Sequence, residues 1–474
     1  MNILLVTPPF LLSNDSPYSK TGAILPPLGL LSLAAYLRKE MPDVMIRVLD
    51  ASAERISLES MRKRLESIDF RPDVVGITVY TTTFSIVLQT TRVIKEVFPD
   101  CKVVAGGAHA SIMPRECLTS PHIDMAVVGE GEETFTDLVS TLTRDGDLAD
   151  VAGIYYKLGD QIIETPQRVS NLEMENLPMP ARDLVDISMY RPAHGTFRRL
   201  PATNMITSRG CPFLCNFCSK SIFGSRYRAQ SPHKTLQEIK HLISEYGIRE
   251  IIFNDDVFTC NQKATEILCD LLIEEKISIT WSCSTRINLV SPGLLKKMKK
   301  SGCISVGYGI EAGDVDILRQ VDKGISIDNA KEAIRWTKEA GIETRAFYIF
   351  GFPGETRKSM NETLTLALKL NTDFAMFNIA IPLPGTAMYD QAKAEGLLLY
   401  DGMDLYDRTD GPHPLIRLTD VSESELVIFY RDAYKRYYLR PLYILRQLMG
   451  IRSFNDIRRY AKGLFSFLNW SSGT

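Results

Sequence analysis

Short apolar runs alternate with amphipathic helical stretches along most of this chain, and that alternation limits the folds it can adopt. In the first 150 residues, strands are predicted at 2–6, 46–50, 74–80 and 102–107, a strand and turn at 125–132, and helices at 29–40, 85–98 and 133–142. Strands that alternate with helices form parallel sheets whose ligands bind beyond the carboxyl ends of the strands. We therefore expect residues 1–150 to form an α/β, doubly wound, Rossmann-like domain.

A second series of strands and helices begins near residue 197 and continues to about residue 400. Its predicted strands lie in the stretches 202–210, 250–256, 279–286, 305–311, 343–355 and 374–386. Five or six such units predict a full or partial TIM-like (β/α)6 barrel, whose chemistry lies at the carboxyl ends of the strands. Between the two series, residues 151–196 contain a hairpin-like stretch and the proline-rich "NLPMPARDL", which we interpret as a connection.

The remaining residues, 401–474, are predicted to form a helical C-terminal region. From Phe429 onward this region has nine Lys and Arg residues against two Asp, interleaved with aromatic residues. Such a tail could cover an apolar substrate or contact an anionic membrane surface. The simpler alternative is that these helices pack on the barrel and expose a basic face to solvent.

Charge and cysteine content limit the partners and the cellular compartment that we expect for this chain. The formal net charge of −2 gives no overall attraction to nucleic acid, and no apolar run reaches the length of a membrane span. The nine cysteines are an odd number spread over 474 residues, which argues against a disulfide framework. We therefore predict a cytoplasmic protein that does not bind nucleic acid.

Three cysteines, Cys211, Cys215 and Cys218, lie within "TSRGCPFLCNFCSK" at the spacing C-x3-C-x2-C. Three thiolates can bind a [4Fe–4S] cluster and leave one iron open for an outside ligand. A structural zinc site would need a fourth ligand, which Cys260, Cys283 or a histidine could supply. The cysteine spacing and its position after a strand are similar to those of the radical S-adenosylmethionine (SAM) superfamily.

Motifs along the rest of the chain resemble a narrower group, the cobalamin-binding radical SAM family. They are "PPLGLLSLAAYL", "GGAHAS", "VVGEGEETF", "LPMPARDL", "FNDDVF", "GYGIEAG", "YIFGFPGET", "PLPGTAMY" and "AYKRYYLRPLYILRQL". The family includes the magnesium-protoporphyrin ester oxidative cyclase and the hopanoid-modifying enzymes. The resemblance implies a B12-binding first domain and a radical SAM barrel. The implied cofactors are a [4Fe–4S] cluster, SAM and cobalamin, with an electron donor of the flavodoxin or ferredoxin type.

The resemblance also indicates residues that could bind SAM. Asp255 or Asp256 occupies the position of a polar group for the SAM amino end, although a turn or capping role is the alternative. Ser284, Arg286 and Glu311 lie at predicted strand ends, where they could bind the ribose and carboxylate of SAM. A structural Arg286–Glu311 salt bridge is an equally simple interpretation of two of these residues.

For cobalamin, small and polar loops at the strand ends of the first domain offer room for a flat corrin ring. The candidate residues are Pro8, Tyr80, Gly106, Gly107, His109, Gly129, Glu130 and Gly131. The D-x-H-x-x-G pattern of cobalamin proteins with a histidine ligand is absent. We therefore expect cobalamin to bind without a histidine ligand, and His109 to make a polar contact or to be a loop histidine that is hydrogen-bonded within the protein.

Three functions remain open from the sequence. The first is methyl transfer to an unactivated carbon, in which one SAM methylates cobalamin and a second generates the radical. The second is an oxidative cyclase or ring-rearranging enzyme without methyl transfer, and the third is a non-catalytic Fe–S protein. A lipid, a tetrapyrrole, an antibiotic precursor and a peptide all remain open as substrates, and the resemblance favours an apolar biosynthetic intermediate.

Overall fold

The computed structural model describes residues 1–9, 24–169, 172–192, 197–408 and 412–449. The first domain contains a seven-stranded sheet in the order β2-β1-β3-β4-β5-β6-β7. Its strands are β1 (Asn2–Thr7), β2 (Met45–Asp50), β3 (Val74–Thr78), β4 (Lys102–Gly106), β5 (Met125–Val127), β6 (Ile154–Leu158) and β7 (Gln161–Glu164). Strands β1 to β5 are parallel, as the sequence predicted.

Helices cover both faces of this sheet. They are α1 (Leu28–Glu40), α2 (Leu58–Glu66), α3 (Phe84–Val97), α4 (Ala108–Ile112), α5 (Pro114–Cys117) and α6 (Gly131–Thr143). Successive residues of a strand point to opposite faces. Accordingly, Leu4 packs with residues of α2 and α3, whereas Leu5 packs with residues of α1 and α6. The doubly wound architecture is therefore confirmed.

The hairpin that the sequence analysis placed in the connection belongs to the first sheet. Strand β6 pairs antiparallel with β5, and β7 pairs antiparallel with β6. Ile154 and Tyr156 are buried in the core of the first domain. The pairing covers the edge of β5 that would otherwise expose unpaired backbone groups.

The second domain contains six parallel strands in sequential order. They are β8 (Ala202–Met205), β11 (Glu250–Phe253), β12 (Thr280–Thr285), β13 (Cys303–Glu311), β14 (Glu343–Phe350) and β15 (Phe374–Ile379), while β9 (Ser208–Arg209) and β10 (Arg228–Ala229) form a separate two-stranded ribbon. The intervening helices are α7 (Pro232–Tyr246), α8 (Gln262–Glu274), α9 (Pro292–Lys300), α10 (Val315–Gln320), α11 (Ile327–Glu339), α12 (Arg357–Leu370) and α13 (Ala387–Ala394). The predicted partial (β/α)6 barrel is confirmed, with β8 and β15 at its two edges.

The edge strand β15 is covered by helix α15 (Glu423–Tyr438) through tyrosine hydroxyls. The hydroxyl of Tyr434 accepts a hydrogen bond from the amide of Phe377 and donates one to its carbonyl oxygen. Tyr438 does the same with Ala375. The two tyrosines are four residues apart on the helix, a rise of about 6 Å, and their partners are two residues apart on the strand, about 6.6 Å. The two spacings therefore match. The tyrosines therefore occupy backbone groups that a further strand would use.

Other parts of the C-terminal region lie on both domains. Helix α14 (Gly402–Tyr406) and Leu415 contribute to the core of the first domain, whereas α16 (Pro441–Met449) follows α15 beside the barrel. None of the helices in the described ranges is long and apolar enough to cross a membrane. The basic residues beyond 449 lie outside the described residues. The expected contact of the tail with a membrane surface therefore stays a prediction.

Candidate cofactor sites between the two domains

The three cysteines of the C-x3-C-x2-C motif lie in a loop whose two ends meet. The loop joins β9 to β10, and these strands pair antiparallel with Arg209 opposite Arg228. Gly210 begins the loop with a φ of 82°, and a Cβ there would lie 2.2 Å from the carbonyl oxygen of Arg226. Only glycine combines this backbone conformation with so close a contact. The ribbon and its loop, residues 208–229, therefore form one closed segment that carries all three thiols. We call this segment the cysteine arm.

The thiols of Cys211 and Cys215 lie close enough to act electrostatically on that of Cys218. Burial raises the pKa of Cys218 to about 11, with further contributions from the nearby Cys211 and Cys215.

Within the described ranges, no three His, Cys, Asp or Glu side chains are grouped so that they could hold a single metal ion. Of the proposed zinc ligands, Cys283 is buried in the barrel core. Three thiols around one loop suit a [4Fe–4S] cluster, in which each cysteine binds a different iron.

The two adjacent aspartates after β11 have different surroundings. The Oδ1 of Asp255 accepts hydrogen bonds from the backbone and hydroxyl of Thr207 and from the hydroxyl of Ser208. This carboxyl therefore fastens the segment that leads into the cysteine loop, while its Oδ2 is buried without a partner. Asp256 is exposed, and its charge contributes to the raised pKa of Cys218. Asp256 is thus the aspartate whose carboxylate is accessible beside the cysteines.

Arg286, at the end of β12, contacts the cysteine loop directly. Its guanidinium lies 3.9 Å from the ring centroid of Phe213, and its Nη1 donates to the sulfur of Cys215 at 3.4 Å. Its Nη2 donates to the backbone carbonyl of Lys323, and its Nε is buried without a partner. A cation in this position favours negative charge on the atoms beside it, and its Nε–H has no partner in the protein.

Glu311, at the end of β13, pairs with a residue that sequence analysis did not find. Its Oε1 lies 2.6 Å from the Nζ of Lys323, so the proposed Arg286–Glu311 salt bridge is wrong. Lys323 lies in the turn after α10, and nothing in its local sequence distinguishes it. Ser284 lies on the neighbouring strand with its side chain exposed, so its hydroxyl is accessible from the barrel interior.

The turn "GFPGE" after β14 is organised by a buried carboxyl. The Oε2 of Glu355 accepts hydrogen bonds from the amides of Gly351 and Phe352. Burial raises the pKa of Glu355 to about 8, because the charged form is poorly solvated there. The ring of Phe352 packs against Phe217, with centroids 5.5 Å apart. Through this contact the turn supports the cysteine loop.

A cavity of about 150 Å³ lies at the carboxyl ends of the first sheet. Most of the residues proposed for cobalamin line it: Tyr80, Gly106, Gly107, Gly129, Glu130 and Gly131. A Cβ added at Gly106 or Gly129 would meet no atom within 4 Å, so these glycines leave open space rather than fill it. The lining is therefore suited to a large ligand that approaches the backbone closely.

Two of the proposed cobalamin residues lie outside this lining. Pro8 is buried, and its carbonyl oxygen accepts a hydrogen bond from Ser52. His109 is fully buried. Its Nδ1 forms a hydrogen bond with the hydroxyl of Thr81, and its ring packs against Phe84 and Tyr406. His109 is thus held inside the first domain, outside the cavity lining, and its contact with cobalamin stays a prediction.

Residues from the second domain complete the same cavity. Arg209, Ile222 and Phe223 of the cysteine arm line it together with Gly29 and Leu33 of α1. Glu130, which also lines the cavity, is held in ion pairs with Arg209 and Arg228. Sequence analysis missed the arm residues because the approach of the two domains is not encoded in local periodicity.

A second cavity, of about 480 Å³, opens directly on the cysteines. Cys215 and Cys218 form one side, Ser111 and Ile112 of α4 form another, and the segment around Thr386 closes the third. Both domains thus contribute to this space. It can admit a small molecule to the neighbourhood of the thiols.

Comparison with known proteins agrees with this arrangement. The model of the radical SAM superfamily matches residues 205–367, and the model of the B12 binding domain matches residues 18–139. A protein of Pyrococcus horikoshii named as an uncharacterized methyltransferase is 35% identical over 469 residues, which cover 98% of each chain. The chain belongs to the cobalamin-binding radical SAM family. This confirms the family that the motifs indicated.

Two further similarities are relevant to its fold and function. The anaerobic magnesium-protoporphyrin IX monomethyl ester cyclase of Cereibacter sphaeroides is 29% identical over 402 residues, which cover 83% of this chain and 64% of the cyclase. The structure of the radical enzyme OxsB, solved with aqua-cobalamin and SAM, has a TM-score of 0.73 and 16% identity. The match covers 99% of this chain and 71% of OxsB, so the whole described fold is shared.

As a member of this family, the protein uses a [4Fe–4S] cluster, SAM and cobalamin. Together these groups supply an electron, a carbon-centred radical and a methyl carrier when bound. Cys211, Cys215 and Cys218 would hold the cluster, and the glycine-rich cavity of the first domain would hold cobalamin. The arm joins the two sites, because its Cys215 and Cys218 line one cavity and its Arg209 lines the other.

Proposed function

We propose that this enzyme transfers a methyl group from SAM to an unactivated carbon of a small-molecule substrate. The proposal rests on one observation, that the same segment of the chain contributes residues to both cavities. The arm that bears the cluster cysteines also lines the cavity proposed for cobalamin. A carbon radical formed beside the cluster would therefore be close to a methyl donor. The methyltransferase name of the Pyrococcus relative supports the same reaction.

The net reaction balances with two molecules of SAM and two electrons from an outside donor. The substrate loses one hydrogen atom and gains one methyl group. S-adenosylhomocysteine, methionine and 5′-deoxyadenosine are the other products. The electrons would come from a flavodoxin or ferredoxin, as expected for this family.

In this proposal the residues of the chain position the reactants. Arg286, which contacts Cys215, and Asp256, whose charge acts on Cys218, could bind the carboxylate and ammonium of SAM. Glu311 and Ser284 could bind the ribose from the neighbouring strand ends. The cavity beside Cys218 also contains Ile112 and Leu214, so it offers apolar surface to the substrate. We propose an apolar or amphipathic biosynthetic intermediate.

The test is a product analysis with the reconstituted full-length enzyme. The cluster would be rebuilt anaerobically, and hydroxocobalamin, SAM labelled in its methyl group and a low-potential reductant would be added with candidate apolar acceptors. S-adenosylhomocysteine and 5′-deoxyadenosine in equal amounts, with label in the acceptor, support the proposal. The matched control is Cys215→Ala, which we expect to abolish 5′-deoxyadenosine formation.

The cyclase relative gives a second candidate, an oxidative cyclisation without methyl transfer. In that case 5′-deoxyadenosine would form without S-adenosylhomocysteine, and the methyl label would stay in methionine. That result would contradict the methyltransferase proposal. Absence of any SAM cleavage with a complete cluster would contradict both enzymatic functions.

A further inference from the structure

Four charged residues form a buried, electrically neutral cluster between the two domains. Arg209 Nη1 lies 2.7 Å from Glu130 Oε2, and Arg209 Nη2 lies 2.5 Å from Glu132 Oε1. Arg228 Nη2 pairs with the other carboxylate oxygen of Glu130. All four side chains are less than a tenth exposed. We call this group the interdomain ion cluster.

Each member of the interdomain ion cluster lies next to a cofactor segment. Glu130 and Glu132 flank Gly131, where α6 begins at the edge of the cavity proposed for cobalamin. Arg209 and Arg228 are paired residues of the ribbon at the base of the cysteine arm. One acidic segment is thus bonded to both ends of the arm.

Further contacts make the geometry of this cluster specific. Arg209 Nη2 also donates to the hydroxyl of Ser32, which in turn donates to Glu132. Arg228 Nη1 donates to the carbonyl oxygen of Leu172 in the connection. Because planar guanidinium groups bond carboxylates in fixed directions, the arrangement admits few relative positions of the two domains. Buried ion pairs add little net stability over apolar packing, but they can select one arrangement.

We propose that the interdomain ion cluster couples the two cofactors, so that cobalamin binds more tightly once the [4Fe–4S] cluster is in place. Fixing the arm around the Fe–S cluster fixes Arg209 and Arg228, and these hold Glu130 and the loop at Gly129–Gly131 in the shape that lines the cobalamin cavity. Thermodynamic linkage makes the effect reciprocal, so cobalamin also favours retention of the Fe–S cluster. The two arginines are positioning residues. The inference needs both cofactors but does not depend on methyl transfer.

The test is a titration of the full-length protein with hydroxocobalamin, followed by absorbance, before and after anaerobic reconstitution of the Fe–S cluster. No SAM or substrate is present, so the outcome is independent of the reaction. For the natural protein we expect reconstitution to tighten cobalamin binding about tenfold, within the usual range of coupling between sites. An equal affinity before and after reconstitution would overturn the proposal.

The decisive variant is the double substitution Arg228→Met with Glu130→Gln. It removes one charge of each sign and leaves Arg209 with Glu132, so no buried charge is left alone and the protein is expected to fold. We expect its reconstitution to change cobalamin affinity less than twofold. The control Arg226→Met removes an exposed ion pair with Glu173 from the same arm and should keep the natural ratio. Tenfold coupling retained in the double variant would show that the cofactors act on each other without this cluster, which contradicts the proposal.

Discussion

The ammonium of Lys323 lies 2.6 Å from Oε1 of Glu311, and both side chains are more than nine-tenths buried. Glu311 has a φ of 66°, a conformation that residues other than glycine seldom adopt. The backbone carbonyl of Lys323 also accepts a hydrogen bond from Arg286. One residue without a recognisable motif therefore holds two side chains proposed to bind SAM.

Replacing Lys323 by methionine should impair both stability and SAM binding. A buried carboxylate left without its partner lowers the free energy of unfolding by about 3–5 kcal/mol. We expect the dissociation constant of SAM, measured by equilibrium dialysis, to rise at least about tenfold. Lys331→Met removes an exposed pair with Asp328 and is the control. Equal effects of the two substitutions would contradict the role of Lys323.

Removing any one of Cys211, Cys215 and Cys218 should prevent assembly of the Fe–S cluster. After reconstitution, the natural protein should contain about four irons per chain, and the alanine variants should lose most of this iron and its visible absorbance. Cys260→Ala is the informative control, because Cys260 was a proposed fourth ligand of a zinc site. If Cys260→Ala lost as much metal as the other variants, a four-cysteine site would be indicated instead.

Filling the first cavity should weaken cobalamin binding without unfolding the protein. A Cβ at Gly106 meets no atom within 4 Å, so Gly106→Leu places its side chain in the open space of the cavity. We expect at least tenfold weaker binding of hydroxocobalamin and an unchanged melting temperature. His109→Gln should behave in the opposite way, with lower stability but an unchanged spectrum of bound cobalamin. A spectral change in His109→Gln would indicate a histidine ligand.

The hydroxyls of Tyr434 and Tyr438 should contribute to stability through the backbone of β15. Each Tyr→Phe substitution leaves an amide and a carbonyl of the edge strand without these partners. We expect each to lower the free energy of unfolding, measured in urea, by about 1–3 kcal/mol. Tyr36→Phe on α1 is a control from the first domain, for which we expect a change within about 0.5 kcal/mol. No loss in either edge variant would show that water replaces the hydroxyls.

The buried carboxyl of Glu355 should make stability fall as the pH rises. Its pKa is raised from 4.5 to about 8, so between these values the folded protein holds a proton that the unfolded chain releases. The contribution of this proton to the free energy of unfolding is fully present below about pH 4.5. It is lost as the pH rises to 8, and the free energy of unfolding falls by up to about 1.4 kcal/mol per pH unit. Glu355→Gln should flatten the dependence in urea titrations from pH 5 to 8. Glu362→Gln, at a partly exposed position, should keep the natural slope.

Local sequence predicted the strand ends but not the partners of the residues that lie there. The cysteine arm and the glycine-rich loops follow predicted strands, so their positions at the sheet edges follow from the parallel architecture. Arg209 and Glu132 are 77 residues apart, and their contact depends on how the two domains pack. Periodicity within one segment contains no information on that packing.

The hairpin and the C-terminal region show the same limit. The strand pattern of 154–164 was visible, but not which sheet edge it would pair with. For the tail, the sequence left open a cover for an apolar ligand, a contact with anionic lipid, and helices packed on the barrel. In the structure, the spacing of Tyr434 and Tyr438 fits the backbone groups of β15, a match that requires knowing which strand lies beside the helix.

Leu405 and Leu415 complete the core of the first domain, although more than 250 residues separate them from α6. During synthesis the first domain therefore leaves the ribosome with part of its apolar surface uncovered, and it stays so until the barrel has been made. At the usual rate of about 5–20 residues per second, that interval lasts tens of seconds. The return of the chain also joins the domains by a second covalent link, so a fragment ending near residue 400 should fold poorly even though it contains every proposed cofactor residue.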